Sequence, residues 1–186
     1  MAGARAQVLA RAVSGEGRMI FVTTGTSKLP FERFVREVDR LAGAGVFGED
    51  RVLMQYRGSD FQPAHCERVD ALDFGEMLQA VEDARLVLGH GGAGTLLLCR
   101  EAGVPMILVA RRAEFGENHD DHQVDFCEHV AAHQLAYYAA EMEDLESLCQ
   151  DALRGARPQV DAQPCSQLVA TLRDFASSCQ PAEAQG

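Results

Sequence analysis

The chain has 186 residues, of which 47% are hydrophobic and 24% are charged, and its formal net charge at pH 7 is −11. This length and apolar content suffice for one domain with its own hydrophobic core. The excess of negative charge argues against nucleic acid or an anionic membrane surface as a partner held by charge. In addition, no apolar run reaches the roughly 18 residues of a membrane span.

Residues 1–18 are predicted to be an extension that precedes the folded domain. The segment is rich in alanine, and Arg11 interrupts its only apolar stretch, so it lacks the apolar core of a secretory signal. We therefore expect a cytoplasmic protein.

From residue 19 to residue 153, strand-like apolar runs alternate with segments of helical periodicity. The predicted strands are 19–23, 51–56, 66–69, 86–89, 106–110 and 135–138. The predicted helices are 30–41, 74–82, 96–102, 118–133 and 141–153. Because strands that alternate with helices form parallel sheets, the sequence predicts an α/β fold: a Rossmann-like parallel sheet with helices on both faces.

Three further segments are predicted beyond this domain: a proline-containing linker over 154–164, a helix over 165–179 and a tail over 180–186. The apolar side chains of the helix form a stripe at helical spacing, Leu168, Val169, Leu172 and Phe175. This stripe either packs back on its own domain or docks a partner.

A glycine-rich turn follows the predicted strand 86–89 and opens the next helix. Its glycines, spaced as Gly89-x-Gly91-x-x-Gly94, allow backbone N–H groups to approach a ligand closely. The helix N-terminus adds about half a positive charge. The turn therefore predicts an anion site, and phosphate is the typical occupant.

Parallel strands bring their carboxyl ends to one edge of the sheet, where ligands bind. Loops 24–27, 89–95 and 111–123 should therefore share one rim. The third loop carries more hydrogen-bonding groups than a bare connection needs, which points to a binding role.

The six cysteines form no Cys-x-x-Cys pair and are predicted to be reduced thiols: Cys66, Cys99, Cys127, Cys149, Cys165 and Cys179. A zinc site is a weaker alternative, because two histidine pairs at helical spacing lie near an aspartate: His119 with His122, and His129 with His133, beside Asp125. No glutamate-flanked signature accompanies them, so we predict no metal.

Four motifs occur in a fixed order: Phe-Val-Thr-Thr-Gly-Thr at 21–26, His-Gly-Gly-Ala-Gly-Thr at 90–95, Gly-Val-Pro at 103–105 and Asp-His-Gln at 121–123. With these motifs the chain resembles the C-terminal half of GT-B glycosyltransferases of family 28. Within that family it is similar to the small cytosolic subunits of split UDP-sugar transferases, those that extend dolichol-linked sugars and their bacterial exopolysaccharide counterparts. The resemblance covers about residues 19–153 and implies a single half of a GT-B fold.

The resemblance implies a UDP-sugar as substrate and no cofactor. It places the diphosphate against two groups of residues, Thr24, Gly25 and Thr26 from the first loop and Gly91, Gly92, Gly94 and Thr95 from the glycine turn. It places the sugar near Asp121, His122 and Gln123, and the uracil near Phe74 and Met77. Attack by a sugar hydroxyl requires a general base, for which His90 and His122 are the candidate catalytic residues, with His119 as a further imidazole in the same loops.

One position departs from the family pattern. Many members carry a ribose-binding Glu five residues before the glycine of Gly-x-Pro, and here that position is Leu98. The nearest acid is Glu101, three residues later, which shares the helix face only roughly. Glu101 is therefore the predicted substitute.

In complete enzymes of this architecture the acceptor groove, and usually the base, belong to the other half. We therefore expect this chain to be the donor-binding catalytic subunit of a two-component enzyme that moves a hexose-type sugar to a lipid-linked acceptor. Its partner would be a membrane-anchored acceptor-binding subunit that recruits it to the inner face of a membrane.

Two other functions remain open. The Leu98 departure is compatible with a nucleotide-binding subunit that only enhances a partner's catalysis. The glycine spacing is also compatible with an NAD(P)-dependent oxidoreductase, in which Arg111 and Arg112 would bind a 2′-phosphate. However, no acidic ribose anchor stands at the expected strand end.

Overall fold

The computed structural model describes residues 18–58 and 61–155. The predictions for the N-terminal extension 1–18 and the linker 154–164 lie almost entirely outside these ranges, and those for the helix 165–179 and the tail 180–186 lie wholly outside them.

Six parallel strands form one sheet in the order β3-β2-β1-β4-β5-β6. Their bounds are β1 Met19–Thr23, β2 Arg51–Gln55, β3 Glu67–Val69, β4 Ala84–His90, β5 Met106–Val109 and β6 Tyr137–Tyr138. The two central strands are apolar along most of their length because a parallel strand between two helix layers is buried on both faces.

The described residues form five α-helices: α1 Glu32–Gly43, α2 Phe74–Asp83, α3 Ala93–Ala102, α4 His122–Ala132 and α5 Asp144–Leu153. The first four lie between strands, and α5 follows β6. A single 3-10 turn, Ala113–Phe115, lies between β5 and α4. None of the helices in the described ranges combines the length and apolarity that crossing a bilayer demands.

The core consists of two layers separated by the sheet. One layer packs α1 and α5 on side chains such as Ile20, Val22 and Leu88. The other packs α2, α3 and α4 on the alternate side chains, such as Phe21 and Val87. This alternation follows from the two-residue period of a strand, and it confirms the predicted α/β sheet with helices on both faces.

Two of the boundaries that differ from the sequence prediction have a visible local cause, the start of α4 and the start of β4. Helix α4 begins at His122 rather than 118, because Gly116 adopts a left-handed φ of 67° and the carboxylate of Asp121 accepts a hydrogen bond from the Ala113 backbone at 2.8 Å. The segment before His122 is thus used to close the loop. Strand β4 begins at Ala84, since that residue is already extended where α2 ends.

Strands β1 and β4 are neighbours although two other strands lie between them in the chain. The direction of winding reverses between them, and open α/β sheets bind ligands in the crevice at such a reversal, outside the carboxyl ends of the strands. Thr23 pairs with Gly89 in register. The residues that follow them, Thr24 and His90, therefore open the crevice.

Candidate functional site

The carboxyl ends of β1, β4 and β5 bring the three predicted loops to one rim. Gly89 of β4 pairs with Thr23 of β1 on one side and with Leu108 of β5 on the other. Arg111, which follows β5, donates a hydrogen bond to the carbonyl of Thr24 at 2.8 Å. The predicted meeting of the three loops is confirmed.

The glycine turn ends at an open helix terminus. Gly92 is the N-cap of α3, and no side chain caps the first turn of that helix. A Cβ built on Gly94, in the same turn, would meet nothing within 4 Å. Among the described residues, no side chain therefore satisfies the N–H groups of the first turn, and the helix dipole there favours an anion.

The ring of His90 lies between the two glycine-containing loops. A Cβ on Gly25 or on Gly92 would collide with this ring, and Gly25 also has a left-handed φ of 75°. A side chain at either position would therefore displace the imidazole that lies between the β1–α1 loop and the turn after β4.

His90 is held as a neutral imidazole. Burial lowers the pKa of His90 to about 4, the charge of Arg111 acts in the same direction, and a hydrogen bond to the Thr23 backbone opposes them. At neutral pH the side chain therefore brings a dipole rather than a charge to the crevice.

Helix α4 supports the glycine turn from beneath. A Cβ on Gly91 would meet the sulfur of the buried Cys127 and the side chain of Gln123. A larger residue at Gly91 would therefore push the turn away from α4. The glycines predicted to bind diphosphate thus fall into two groups. Gly25, Gly91 and Gly92 leave room for neighbouring side chains, whereas Gly94 faces open space.

The end of β1 is fixed by Gln55 of β2. The hydroxyl of Thr23 donates to the side-chain oxygen of Gln55 and accepts a hydrogen bond from the Gly25 backbone at 3.1 Å. The Thr24 backbone donates to the Gln55 carbonyl at 3.1 Å. Within the described residues the buried hydroxyl of Thr24 has no hydrogen-bond partner, whereas Thr26 is exposed at the rim.

Arg111, which the sequence analysis placed at the start of the third loop and made a phosphate ligand only in the oxidoreductase alternative, is a buried cation. The residue is 1% exposed, and its guanidinium donates to backbone carbonyls on both sides of the crevice. Its side chain also stacks on Phe31, with the guanidinium carbon 4.6 Å from the ring centroid. In the sequence, this role is indicated only by the position of Arg111 just after the apolar run of β5. Thr24 has the same position after β1.

Glu117 and Arg33 form a second buried contact behind Arg111. The two side chains make a bidentate ion pair at 2.8 and 2.9 Å, and Glu117 is 3% exposed. The guanidinium of Arg33 also donates to the Ala110 carbonyl at 2.7 Å. Charge-assisted bidentate pairs of this kind fix orientation as well as distance. Neither residue was predicted from the sequence.

The predicted sugar-binding residues lie at the start of α4. His122 is exposed, and the ring Nδ1 contacts the carboxylate of Asp120. The hydrogen bond from His122 is the main cause that lowers the pKa of Asp120. Gln123 is turned inward, and the side-chain oxygen of Gln123 accepts the Arg111 backbone N–H at 3.1 Å.

The two residues relevant to ribose binding differ in environment. Leu98 is 5% exposed and lies in the core layer beneath α3, among side chains that include Ala80 and Met106. Glu101 is exposed in the last turn of the same helix. Position 98 therefore serves packing in this chain, and the role of Glu101 in ribose binding stays a prediction.

Of the histidines in the zinc alternative, His129 and His133 contact each other. The rings of His129 and His133 stack with centroids 4.2 Å apart, and the Nδ1 of His133 contacts the His129 carbonyl at 2.8 Å. Within residues 18–58 and 61–155, no group of three or more potential metal ligands comes together.

The arginines of the oxidoreductase alternative are committed to protein contacts. Arg111 is enclosed by carbonyls, and the side chain of Arg112 contacts the Ala140 carbonyl and the carboxylate of Glu141. Binding of a 2′-phosphate by either guanidinium would break these contacts.

Comparison with solved structures shows the fold. The chain is similar to a glycotransferase of kitacinnamycin (18% identity, TM-score 0.56, 88% of this chain and 44% of that one). It is also similar to the spinosyn forosaminyltransferase SpnP (14% identity, TM-score 0.59, 92% of this chain and 46% of that one). The NMR solution structure of ALG13 matches over nearly its whole length (16% identity, TM-score 0.52, 88% of this chain and 97% of that one).

The chain thus spans less than half the length of the kitacinnamycin and spinosyn proteins. Its sheet and helices form a Rossmann-like α/β unit that corresponds to one half of a GT-B fold. A search of curated protein sequences returned no match. The sequence profile of the glycosyltransferase family 28 C-terminal domain matches residues 19–176, which is most of the chain, and the protein therefore belongs to that family.

Proposed function

We propose that this chain is the donor-binding catalytic subunit of a two-component glycosyltransferase, which transfers a hexose-type sugar from a UDP-sugar to a lipid-linked acceptor. The observation that carries the proposal is the uncapped N-terminus of α3 at the strand-order reversal, with Gly94 facing open space. Membership of the family supports a glycosyltransferase role. The choice of a UDP-sugar follows from the motifs shared with the family.

In this proposal the diphosphate binds at the first turn of α3, against Gly94 and the loop that contains Gly25. Departure of UDP places additional negative charge on the diphosphate in the transition state. Backbone N–H groups and a helix dipole that already point at this position stabilise that charge without reorganising. The chain would thus accelerate the step by stabilising the leaving group.

His122 is the better placed of the two proposed catalytic histidines to accept a proton. Asp120 contacts the Nδ1 of His122, which orients the ring and leaves the Nε2 as the nitrogen that can accept a proton. His90 is buried and neutral. We therefore propose His90 as a hydrogen-bonding group beside the diphosphate, and His122 as the candidate base near the sugar together with Asp121 and Gln123.

The acceptor is proposed to bind on another polypeptide. The described residues form one α/β unit whose rim opens at the ends of β1, β4 and β5. A membrane-anchored acceptor-binding subunit would close this rim, recruit the chain from the cytoplasm to the membrane and complete the active site.

Titration calorimetry with UDP and with UDP-sugars tests the donor assignment. We expect the purified chain, or its complex with the partner, to bind UDP and to release heat that depends on the diphosphate. The absence of UDP binding by both preparations would refute the proposal. NAD(P)H is the control ligand, since a glycosyltransferase should not bind it.

A second candidate function is that of a nucleotide-binding subunit that enhances the partner's catalysis without contributing to the chemistry. The burial of an apolar residue at position 98, where the family carries a ribose-binding Glu, favours it. The two functions differ in the effect of His122→Ala on the complex. The catalytic role predicts a large loss of transfer at saturating donor, whereas the enhancer role predicts none.

A further inference from the structure

Arg111 connects three separate backbone segments around the crevice. One terminal nitrogen of its guanidinium donates to the carbonyls of Leu29, Pro30 and Glu117 at 3.0, 3.3 and 3.1 Å. The other donates to the Thr24 carbonyl at 2.8 Å. A planar guanidinium presents its donors in a fixed fork, so these carbonyls are held at set distances from one another.

The contact with Thr24 bears directly on the glycine turn. Thr24 precedes Gly25, and Gly25 packs on the ring of His90, which in turn packs on Gly92 at the N-cap of α3. A displacement of the Thr24 carbonyl would therefore move Gly25 relative to the imidazole. The spacing between the β1–α1 loop and the first turn of α3 depends on this chain of contacts.

The backbone of Arg111 fixes the third loop. Its N–H donates to the side chain of Gln123 at 3.1 Å, in the first turn of α4. Glu117 holds the intervening segment, since the carboxylate of Glu117 accepts from Arg33 and from the Arg112 backbone at 3.1 Å. The carbonyl of the same Glu117 accepts from Arg111.

We propose that Arg111, braced by Glu117, is the positioning residue of the donor site: it holds the β1–α1 loop against the glycine turn, and the start of α4 against both. Its guanidinium acts through the Thr24 carbonyl and its backbone N–H acts through the side chain of Gln123, so it touches no substrate itself. This inference rests on the proposed function and gives Arg111 a positioning role that neither the motifs shared with the family nor the glycine spacing indicates.

Arg111→Lys is the variant that tests the inference, with Arg112→Lys as the matched control. Lysine keeps the charge at position 111 but cannot bridge four carbonyls with a planar fork. Arg112 lies next to it in the chain, and the side chain of Arg112 turns away to Ala140 and Glu141. Both variants are compared with the wild-type chain by NMR-monitored titration with UDP and with UMP.

We expect Arg111→Lys to lower the affinity for UDP by roughly 10-fold, the size of losing one hydrogen bond to a charged group. The affinity for UMP should change much less, because the second phosphate is the group that meets the glycine turn. Arg112→Lys should leave both affinities unchanged. In the unliganded protein, the amide resonances of Gly25 and Asn118, which follow the Thr24 and Glu117 carbonyls, should shift in Arg111→Lys alone.

An equal loss for UDP and UMP would overturn the inference, since it would indicate general destabilisation rather than positioning. Unchanged UDP affinity in a folded Arg111→Lys protein would overturn it as well. If Arg111→Lys does not fold, Glu117→Gln takes its place. It removes the carboxylate charge that pairs with Arg33 but keeps the backbone carbonyl that accepts from Arg111. That variant should also lower the affinity for UDP more than the affinity for UMP, by a smaller factor. Equal losses of affinity for UDP and UMP would again overturn the inference. Absence of UDP binding by the wild-type protein would instead refute the proposed function itself.

Discussion

The assignment of an anion to the N-terminus of α3 can be tested by placing a fixed negative charge at that position. Gly94→Asp is the substitution of choice, because a Cβ on Gly94 meets no atom within 4 Å. Gly92 is less suitable, since a side chain there would collide with the ring of His90. The variant therefore introduces a carboxylate without disturbing the packing of the turn.

The expected effects on folding and on binding have opposite signs. An acidic side chain in the first turn of a helix stabilises it by about 0.3–1 kcal/mol, and α3 has no acidic residue there. For a bound diphosphate, by contrast, a carboxylate about 4 Å away costs ~4 kcal/mol at an effective dielectric constant of about 20. That free energy corresponds to a loss of roughly 10³-fold in UDP affinity.

Gly94→Asn is the matched control, because it has the same shape without the charge. Denaturant unfolding should show Gly94→Asp to be at least as stable as Gly94→Asn. Calorimetry should show UDP binding by the Asn variant and a large loss in the Asp variant, which diminishes at high salt as the charges are screened. Equal UDP affinity of the two variants would show that no anion binds at this helix terminus.

Three other predictions concern other side chains of the proposed site. His122→Ala and Asp120→Asn should lower the rate of transfer at saturating donor and leave the UDP affinity nearly unchanged, since both side chains are proposed to act near the sugar. Equal losses in rate and in UDP affinity would show that these side chains do not act at the sugar. The pKa of His90, measured by NMR, should lie near 4. Because the unfolded chain binds that proton more readily, the free energy of unfolding should fall as the pH decreases from about 6.5 to about 4, and this group should cause no further change below that range. A His90→Phe variant should lack this contribution. If Glu101 binds the ribose, the wild-type chain should bind UDP more tightly than 2′-deoxy-UDP. Glu101→Gln should lose that preference without loss of stability, because the side chain is exposed. Equal affinity of the wild type for the two nucleotides would show that Glu101 does not bind the ribose.

The layout of the strands, helices and glycine turn could be predicted from the sequence because local patterns determine it. The alternation of apolar runs and helical segments specifies a parallel sheet, and Gly103 and Pro105 mark the end of the helix after the turn. The start of α4 could not be located in this way. Its position depends on the carboxylate of Asp121 bonding to the Ala113 backbone, a contact across the loop that no local propensity encodes.

The glycines of the two loops have different neighbours in the fold, which their spacing in the sequence does not reveal. Their spacing predicts an anion site, but it assigns every glycine the same role. In the fold, Gly25 and Gly92 make room for His90 and Gly91 makes room for α4, whereas Gly94 alone among these four lies against open space. Which glycine is left open to the solvent is decided by the neighbours that the tertiary structure brings to each one.

By itself, the sequence determined the α/β class, the meeting of three loops at one rim and the order of motifs that identifies the family, since these follow from the residue types and their spacing along the chain. Only the tertiary structure decided that Arg111, Glu117 and Arg33 hold the rim together. In sequence they are charged residues of the kind usually found at the surface. The burial of Arg111 is possible because backbone carbonyls from the β1–α1 loop and from the segment after β5 converge on its guanidinium, and such convergence is a property of the folded chain.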